Sequence, residues 1–244
     1  MKVVGLDLGG TKIAAGVFDG KRLLSKVVVP TPKEGGERVA EALAEAAERA
    51  EREAGVRGEA IGLGTPGPLD FRRGVIRFAP NIPGVQDFPI RRILEEATGR
   101  PVFLENDANA AALAEHHLGA AQGEESSLYL TVSTGIGGGV VLGGSEHRGV
   151  RGEGGARGHP RRLPGQPACG CGLEGCLEAL AAGRALERDA TYAFQRPVDT
   201  RELFRLFQAG DPKAERLVLQ AARYVGIGLA SLVKAFDPGV VVLG

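Results

Sequence analysis

The sequence predicts an α/β protein made of two related halves. Two observations carry this reading: short β-branched runs alternate with longer segments of helical period, and one strand, glycine turn, strand plan occurs twice. Val3-Val-Gly-Leu-Asp7-Leu-Gly9-Gly10-Thr11-Lys12-Ile-Ala shares that plan with Tyr129-Leu-Thr-Val-Ser-Thr134-Gly135-Ile-Gly137-Gly138-Gly139-Val-Val. The boundary between the halves is expected near residue 108, giving domains 1–108 and 109–244.

Taken in order, Val3 to Leu8, Ile13 to Phe18 and Leu23 to Val29 read as strands, with Asp19-Gly20 closing a hairpin. Val39, Leu43, Ala46 and Ala50 recur at helical spacing between Glu37 and Ala54, and Gly55 ends that helix. The alternating charges from Glu41 to Arg52 read as its wet face. A strand from Ala60 to Leu63 runs into the turn Gly64-Thr-Pro-Gly67, followed by the loop Pro80-Asn81-Ile-Pro-Gly84. A helix from Ile90 to Thr98 precedes a buried strand, Pro101 to Leu104. Glu105-Asn106-Asp107-Ala-Asn109 then leads into a helix from Ala110 to Leu118. Strands follow at Ser127 to Ser133 and Gly139 to Leu142. Helices are expected at Leu173 to Ala182, Ala185 to Ala193, Thr200 to Gln208 and Pro212 to Phe236, and a strand at Val240 to Leu243. His116 and His117 point to different faces of their helix and read as a solvated helix end.

Thirty basic and thirty acidic residues balance, so no net field calls for nucleic acid or an anionic membrane as partner. The N-terminus reaches Asp7 without an apolar signal region, and no uninterrupted apolar run approaches the roughly 20 residues that cross a bilayer. A reducing, cytoplasmic setting is expected. The 38 glycines are about twice the usual share of roughly 7%, and they sit between β-branched runs as turn residues.

All three cysteines, Cys169, Cys171 and Cys176, fall within eight residues, with His159 upstream. Three thiolates and an imidazole complete a tetrahedral zinc shell with no open position, so the metal would hold a loop rather than do chemistry. The alternatives are free core thiols, or one disulfide with a thiol left over. The odd count and the Cys-x-Cys spacing weigh against a disulfide framework.

A glycine turn lets backbone amides approach phosphate oxygens. Neither turn here fits the P-loop pattern, and each alone is equally a tight hairpin without ligand. Together they suit a polyphosphate gripped from two domains. Asp7 ends a strand beside the first turn, where a carboxylate can hold Mg²⁺ through water, or it is a surface residue. Thr11 and Lys12 add a hydroxyl and a cation. Asn106-Asp107 stands where a strand meets a helix. There Asp107 could take the proton of an alcohol attacking phosphorus, or it could simply cap the helix.

These segments together resemble the ROK family (repressors, uncharacterised frames and sugar kinases), particularly its bacterial glucokinases. The resemblance rests on Asp7 to Lys12, Gly64 to Gly67, Asn106-Asp107-Ala-Asn109, Thr134 to Gly139, Gly158-His159 and Cys169 to Glu178, and it runs through nearly the whole chain. It implies a two-domain actin-like, ribonuclease H-like ATPase fold with a central inter-domain cleft. It also implies an ATP-dependent kinase that phosphorylates the 6-hydroxyl of glucose, with ATP, Mg²⁺ and a structural Zn²⁺. Asp107 would be the general base. Gly64, Asn81, Asn106, Asp107, His159 and Glu178 would contact sugar. Asp7, Gly9, Gly10, Thr11, Lys12, Thr134, Gly135 and Gly137 would serve the nucleotide and its magnesium. His159, Cys169, Cys171 and Cys176 would hold zinc, leaving the second ring nitrogen of His159 for sugar. A homo-oligomer, dimer or tetramer, is implied as well.

Two departures stand out. The family's Glu-x-Gly-His has Ala156 at its first position, with Glu153 nearby as a substitute after a register shift, and Arg157, Arg161 and Arg162 close by. Losing that contact costs about 1.5–3 kcal/mol of sugar binding. The chain also ends at Gly244, where relatives continue into another turn and helices. A shortened second domain with weakened ATP affinity is therefore expected. Competing readings are a repressor, disfavoured because no helix-turn-helix precedes Val3, and a weakly active sugar-binding homologue. Mannose, fructose, N-acetylmannosamine and N-acetylglucosamine remain alternative acceptors.

Overall fold

The computed structural model describes residues 1–79, 82–149, 154, 158–159 and 165–244. The chain divides into two compact units: Met1–Ala110 together with Arg148 and Gly149, and Ala111–His147 together with the described residues from Gly154 onward.

The first unit opens with a meander, β1 (Lys2–Leu8), β2 (Lys12–Asp19) and β3 (Arg22–Pro30), followed by α1 (Gly36–Ala54). β4 (Ala60–Thr65) comes next, then the short β5 (Leu69–Asp70), β6 (Val75–Phe78) and β7 (Gln86–Phe88). α2 (Ile90–Thr98), β8 (Val102–Asn106) and the first turn of α3 (Asp107–Leu118) complete it. The main sheet runs β3-β2-β1-β4-β8, antiparallel through the meander and parallel across β1, β4 and β8. Its alternation puts Val4, Leu6 and Leu8 against α1, whose Val39, Leu43, Ala46, Ala47 and Ala50 are buried in the same core. Gly55 and Gly99 close α1 and α2 in the left-handed conformation, which a residue without Cβ adopts at no steric cost. The three-stranded sheet β5-β6-β7 was not foreseen, because strands of two to four residues carry too few positions for a period to show.

The second unit repeats the plan. β9 (Ser127–Val132), β10 (Ile136–Leu142) and β11 (Ser145–Glu146) form a meander. α4 (Leu177–Ala181), α5 (Gly183–Phe194), α6 (Thr200–Gln208) and α7 (Pro212–Phe236) precede β12 (Val240–Leu243). The sheet order is β11-β10-β9-β12, with β12 parallel to β9 as β4 is to β1. Leu128, Leu130, Val140, Leu177, Leu203 and Leu232 share its core. Asp199 caps α6 through its side chain, and Asp211 caps α7, with Pro212 at the first turn.

Four expectations shift, the first being that α3 starts at Asp107 rather than Ala110, because Asn106 Oδ1 accepts from the N–H groups of Ala108 and Asn109 and so opens the helix there. α4 starts at Leu177 rather than Leu173, because Ala168 and Glu174 pair in an isolated bridge and Cys169 N–H donates to the Leu173 carbonyl, so this stretch forms a knuckle. β10 starts at Ile136, so Gly137 to Gly139 lie in the strand and the turn shrinks to Ser133–Gly135. His116 is buried, and its Nδ1 lies 2.9 Å from Ser127 Oγ, which corrects the reading of both histidines as solvated. The helical step of about 100° leaves only His117 facing water. Among the described residues, α7 alone has the length and hydropathy of a bilayer span, yet Ala214, Ala221 and Leu232 place it in the second core.

Candidate functional site

Within the first unit, register brings the candidate residues together. Asp7 pairs with Gly64 across β1 and β4, and Gly64 pairs with Glu105 across β4 and β8. Asn106 and Asp107 follow at the carboxyl end of β8, where parallel sheets present functional side chains. A Cβ on Gly64 would lie 3.9 Å from Asp107 Cα, so the small residue leaves the ground beside Asp107 open.

Asn106 performs the helix cap that Asp107 was a candidate for. Its Oδ1 accepts from the N–H groups of Ala108 (3.0 Å) and Asn109 (3.2 Å). Asp107 Oδ1 accepts from Ala108 N–H at 2.8 Å, and its side chain reaches solvent. Desolvation by its surroundings raises its pKa above the ordinary aspartate value, and the neighbouring Asp7 carboxylate pushes the same way. Asp7 is raised by desolvation too, partly opposed by the Lys12 cation. Two carboxylates kept close, both reluctant to ionise, suit a divalent cation and a proton acceptor. Glu105, which sequence reasoning passed over, braces the residues on either side of Asp107: it accepts from Asn106 N–H at 2.9 Å, Asn109 Nδ2 at 3.2 Å and Arg148 Nη2 at 2.5 Å.

The first glycine turn closes with Gly9 N–H donating to Lys12 carbonyl at 2.9 Å. Two residues past β3 that sequence reasoning missed hold it. Buried Thr31 donates its hydroxyl to Gly9 carbonyl at 2.7 Å, and Lys33 Nζ donates to Gly10 carbonyl at 2.6 Å. Both lie about twenty residues from the turn, and only tertiary pairing reveals them. Thr11 and Lys12 are exposed beside the turn.

In the second unit, Thr134 and Gly135 form the turn between β9 and β10, with Gly137 one residue into β10. Glu178 Oε2 accepts from Ile136 N–H at 2.9 Å. The metal candidates also meet: one ligand atom from each of His159, Cys169, Cys171 and Cys176 lies within 4.8 Å of all the others. Cys171 and Cys176 sulfurs are 3.6 Å apart, and Cys169 Sγ is 3.5 Å from His159 Nδ1. Zn–S of about 2.3 Å and Zn–N of about 2.0–2.1 Å imply tetrahedral edges of roughly 3.8 and 3.6 Å, so the donor set fits zinc. All three cysteines are free thiols. Burial pushes the Cys176 thiol up to about 12 and raises Cys169, whereas N–H and thiol donors outweigh burial and lower Cys171. Deprotonating all three here would call for a cation between them. Asn81, expected near sugar, and Ala156, with Glu153, Arg157, Arg161 and Arg162, lie outside the described residues.

A family model described as "ROK family" matches residues 3–244. A glucokinase from Streptomyces coelicolor is 38% identical, the match covering 99% of this chain and 80% of that protein. An N-acetylmannosamine kinase from Haemophilus influenzae is 32% identical, covering 100% and 80%. Among solved structures, a ROK hexokinase from Thermus thermophilus is 95% identical with a TM-score of 0.93, covering 100% of this chain and 81% of that one. A ROK family glucokinase from Streptomyces griseus in complex with glucose and AMPPNP is 37% identical with a TM-score of 0.85, covering 100% and 83%.

Proposed function

Since the chain belongs to the ROK family and is a sugar kinase of actin-like fold, we propose that it moves the terminal phosphoryl group of ATP to the 6-hydroxyl of glucose. The observation that carries this reading is the strand-end cluster of the first unit. There Asn106 supplies the helix cap and leaves Asp107 with a desolvated, more basic carboxylate.

In the proposed reaction, Asp107 accepts the proton of the sugar 6-hydroxyl as that oxygen bonds to the γ-phosphorus. The bond from phosphorus to the bridging oxygen breaks, and ADP leaves. Gly64, Asn81, Asn106, His159 and Glu178 are assigned to the sugar. Gly9, Gly10, Thr11 and Lys12 in one turn, and Thr134, Gly135 and Gly137 in the other, are assigned to the phosphates through backbone amides, a hydroxyl and a cation. Asp7 is assigned to Mg²⁺, which when bound neutralises the phosphate charge. Zn²⁺, held by His159, Cys169, Cys171 and Cys176, supplies shape rather than chemistry. His159 presents Nδ1 to the cysteines, which leaves Nε2 for a sugar hydroxyl. The enzyme is proposed to be a cytoplasmic homo-oligomer without nucleic-acid or membrane partners.

A second acceptor is favoured by a specific observation: the N-acetylmannosamine kinase relative matches over the whole chain. ADP release should be measured with ATP and glucose, mannose, fructose, N-acetylglucosamine or N-acetylmannosamine, with the product's phosphate located by NMR. The reading expects the highest kcat/KM with glucose and a 6-phosphate product. Turnover of N-acetylmannosamine alone would move the assignment to that sugar, and turnover of none would leave a sugar-binding homologue.

A further inference from the structure

We propose that Glu178 is a positioning residue that couples the metal-binding segment to the Ser133–Gly135 turn, so that metal loading sets nucleotide affinity. The inference rests on the reading of that turn as a phosphate site. Every link lies inside the second unit.

Glu178 sits two residues after the ligand Cys176, in the first turn of α4. Its main-chain N–H donates to the carbonyl of Gly158, the neighbour of the ligand His159, at 2.9 Å. Its Oε1 lies 3.8 Å from the sulfur of the ligand Cys169. Its Oε2 accepts from Ile136 N–H at 2.9 Å, the first amide after the turn. One residue thus touches the surroundings of three metal ligands and the glycine turn together.

A second contact runs beside it. Gly158 packs so closely on β10 that a Cβ there would collide with the Ile136 carbonyl oxygen, so no other residue fits without moving the strand. α4 and α5 continue the brace: Gly183 N–H donates to Ser133 carbonyl at 2.8 Å, and Arg184 N–H to Thr134 carbonyl at 3.3 Å. The turn is gripped on both sides by backbone whose path depends on the cysteine knuckle. The backbone bonds of the knuckle join only its cysteines, so without the metal His159 is tied to them less firmly and the Gly158 and Glu178 contacts loosen.

The test is binding of AMPPNP in the absence of sugar, by calorimetry, to four forms of the full chain: zinc-loaded, chelator-stripped, Glu178→Ala and Glu178→Gln. Zinc content and thermal melts accompany each. Loss of a carboxylate-to-amide bond weakens binding about tenfold, so the Glu178→Ala and stripped forms should each bind about tenfold more weakly. Glu178→Gln keeps an oxygen acceptor for Ile136 N–H and should bind within about twofold of the parent, with zinc retained in both variants. Equal AMPPNP affinity in the loaded and Glu178→Ala forms would overturn the coupling while leaving the phosphate reading intact. If the stripped form unfolds, the Ala and Gln variants decide alone. Absence of AMPPNP binding in every folded form would remove the phosphate reading, and the inference with it.

Discussion

The two glycine hairpins share a strand plan but close in different registers, Leu8 opposite Ile13 in one and Val132 opposite Ile136 in the other, and they are held by different means. The first is braced by polar side chains just beyond its own meander, with Thr31 and Lys33 donating to the carbonyls of Gly9 and Gly10. The second depends on residues some forty positions away, with Glu178 accepting from Ile136 N–H and Gly183 donating to Ser133. The first is held by residues just past β3, whereas the second is held from α4 and α5, which follow the knuckle between Cys169 and Cys176. Two copies of one plan thus rest on different supports, one on residues just past the local sheet and one, under the coupling proposed above, on the metal-binding segment.

The sharpest way to separate them is to remove the metal. Cys176→Ser should abolish zinc binding and lower the melting temperature by about 10 °C or more, since a structural metal's binding energy is folding energy. Hydrogen exchange should then rise at Ser133–Gly135 and stay unchanged at Gly9–Thr11. Equal loss of protection at both turns would show that they are not independently held.

Gly9→Ala probes the other side. A Cβ there would stand 2.9 Å from the Lys12 carbonyl oxygen, a backbone atom that cannot swing away. Strain of about 1–3 kcal/mol is expected, with a melting temperature lower by about 3–10 °C. KM for ATP should rise while KM for sugar holds, and a rise confined to sugar would contradict the assignment. Thr31→Val, which deletes only the bond to Gly9 carbonyl, should cost about 1 kcal/mol, or about 2–4 °C, with a smaller rise in KM for ATP.

The smallest effect concerns pH. The Asp7 carboxylate raises Asp107, so Asp7→Asn should lower the Asp107 pKa and move the acid limb of the pH–rate profile to lower pH. A shift to higher pH would contradict the proximity of the two groups. Stability carries the opposite sign from an ordinary surface carboxylate. With the folded pKa raised, the native state holds its proton more tightly than the unfolded chain, and ionisation weakens the fold above that pKa. Asp107→Asn should therefore melt higher than the parent at neutral pH, and the gain should fade as pH falls through the folded pKa toward the unfolded value.

The helices were legible in sequence because their apolar period runs over two or more turns, and β12 because it is an unbroken β-branched run after Pro238-Gly239. α2, α6, α7 and β12 fall where hydrophobic spacing and end signals placed them. The cluster that could hold a metal was legible because its four residues lie within eighteen positions and are all of ligand type. Contacts across the chain were not. His116 needed Ser127 to explain its burial, and Glu178 needed Ile136 to show a role beyond any motif. α4 was read too long because the apolar period of Leu173 to Ala182 is real, but the turns of the knuckle override it up to Cys176. Asn106 looked like an adjunct to Asp107, although its Oδ1 is what caps α3, so that capping is separate from the general-base role proposed for Asp107.

The most direct test of that division of labour is a comparison of wild type with Asp107→Asn, measuring glucose phosphorylation by coupled ADP release and glucose affinity by calorimetry. General-base catalysis contributes about 10²–10⁴-fold, so kcat should fall by that factor while glucose affinity changes only a few-fold. An undiminished kcat in the Asn variant would contradict the account.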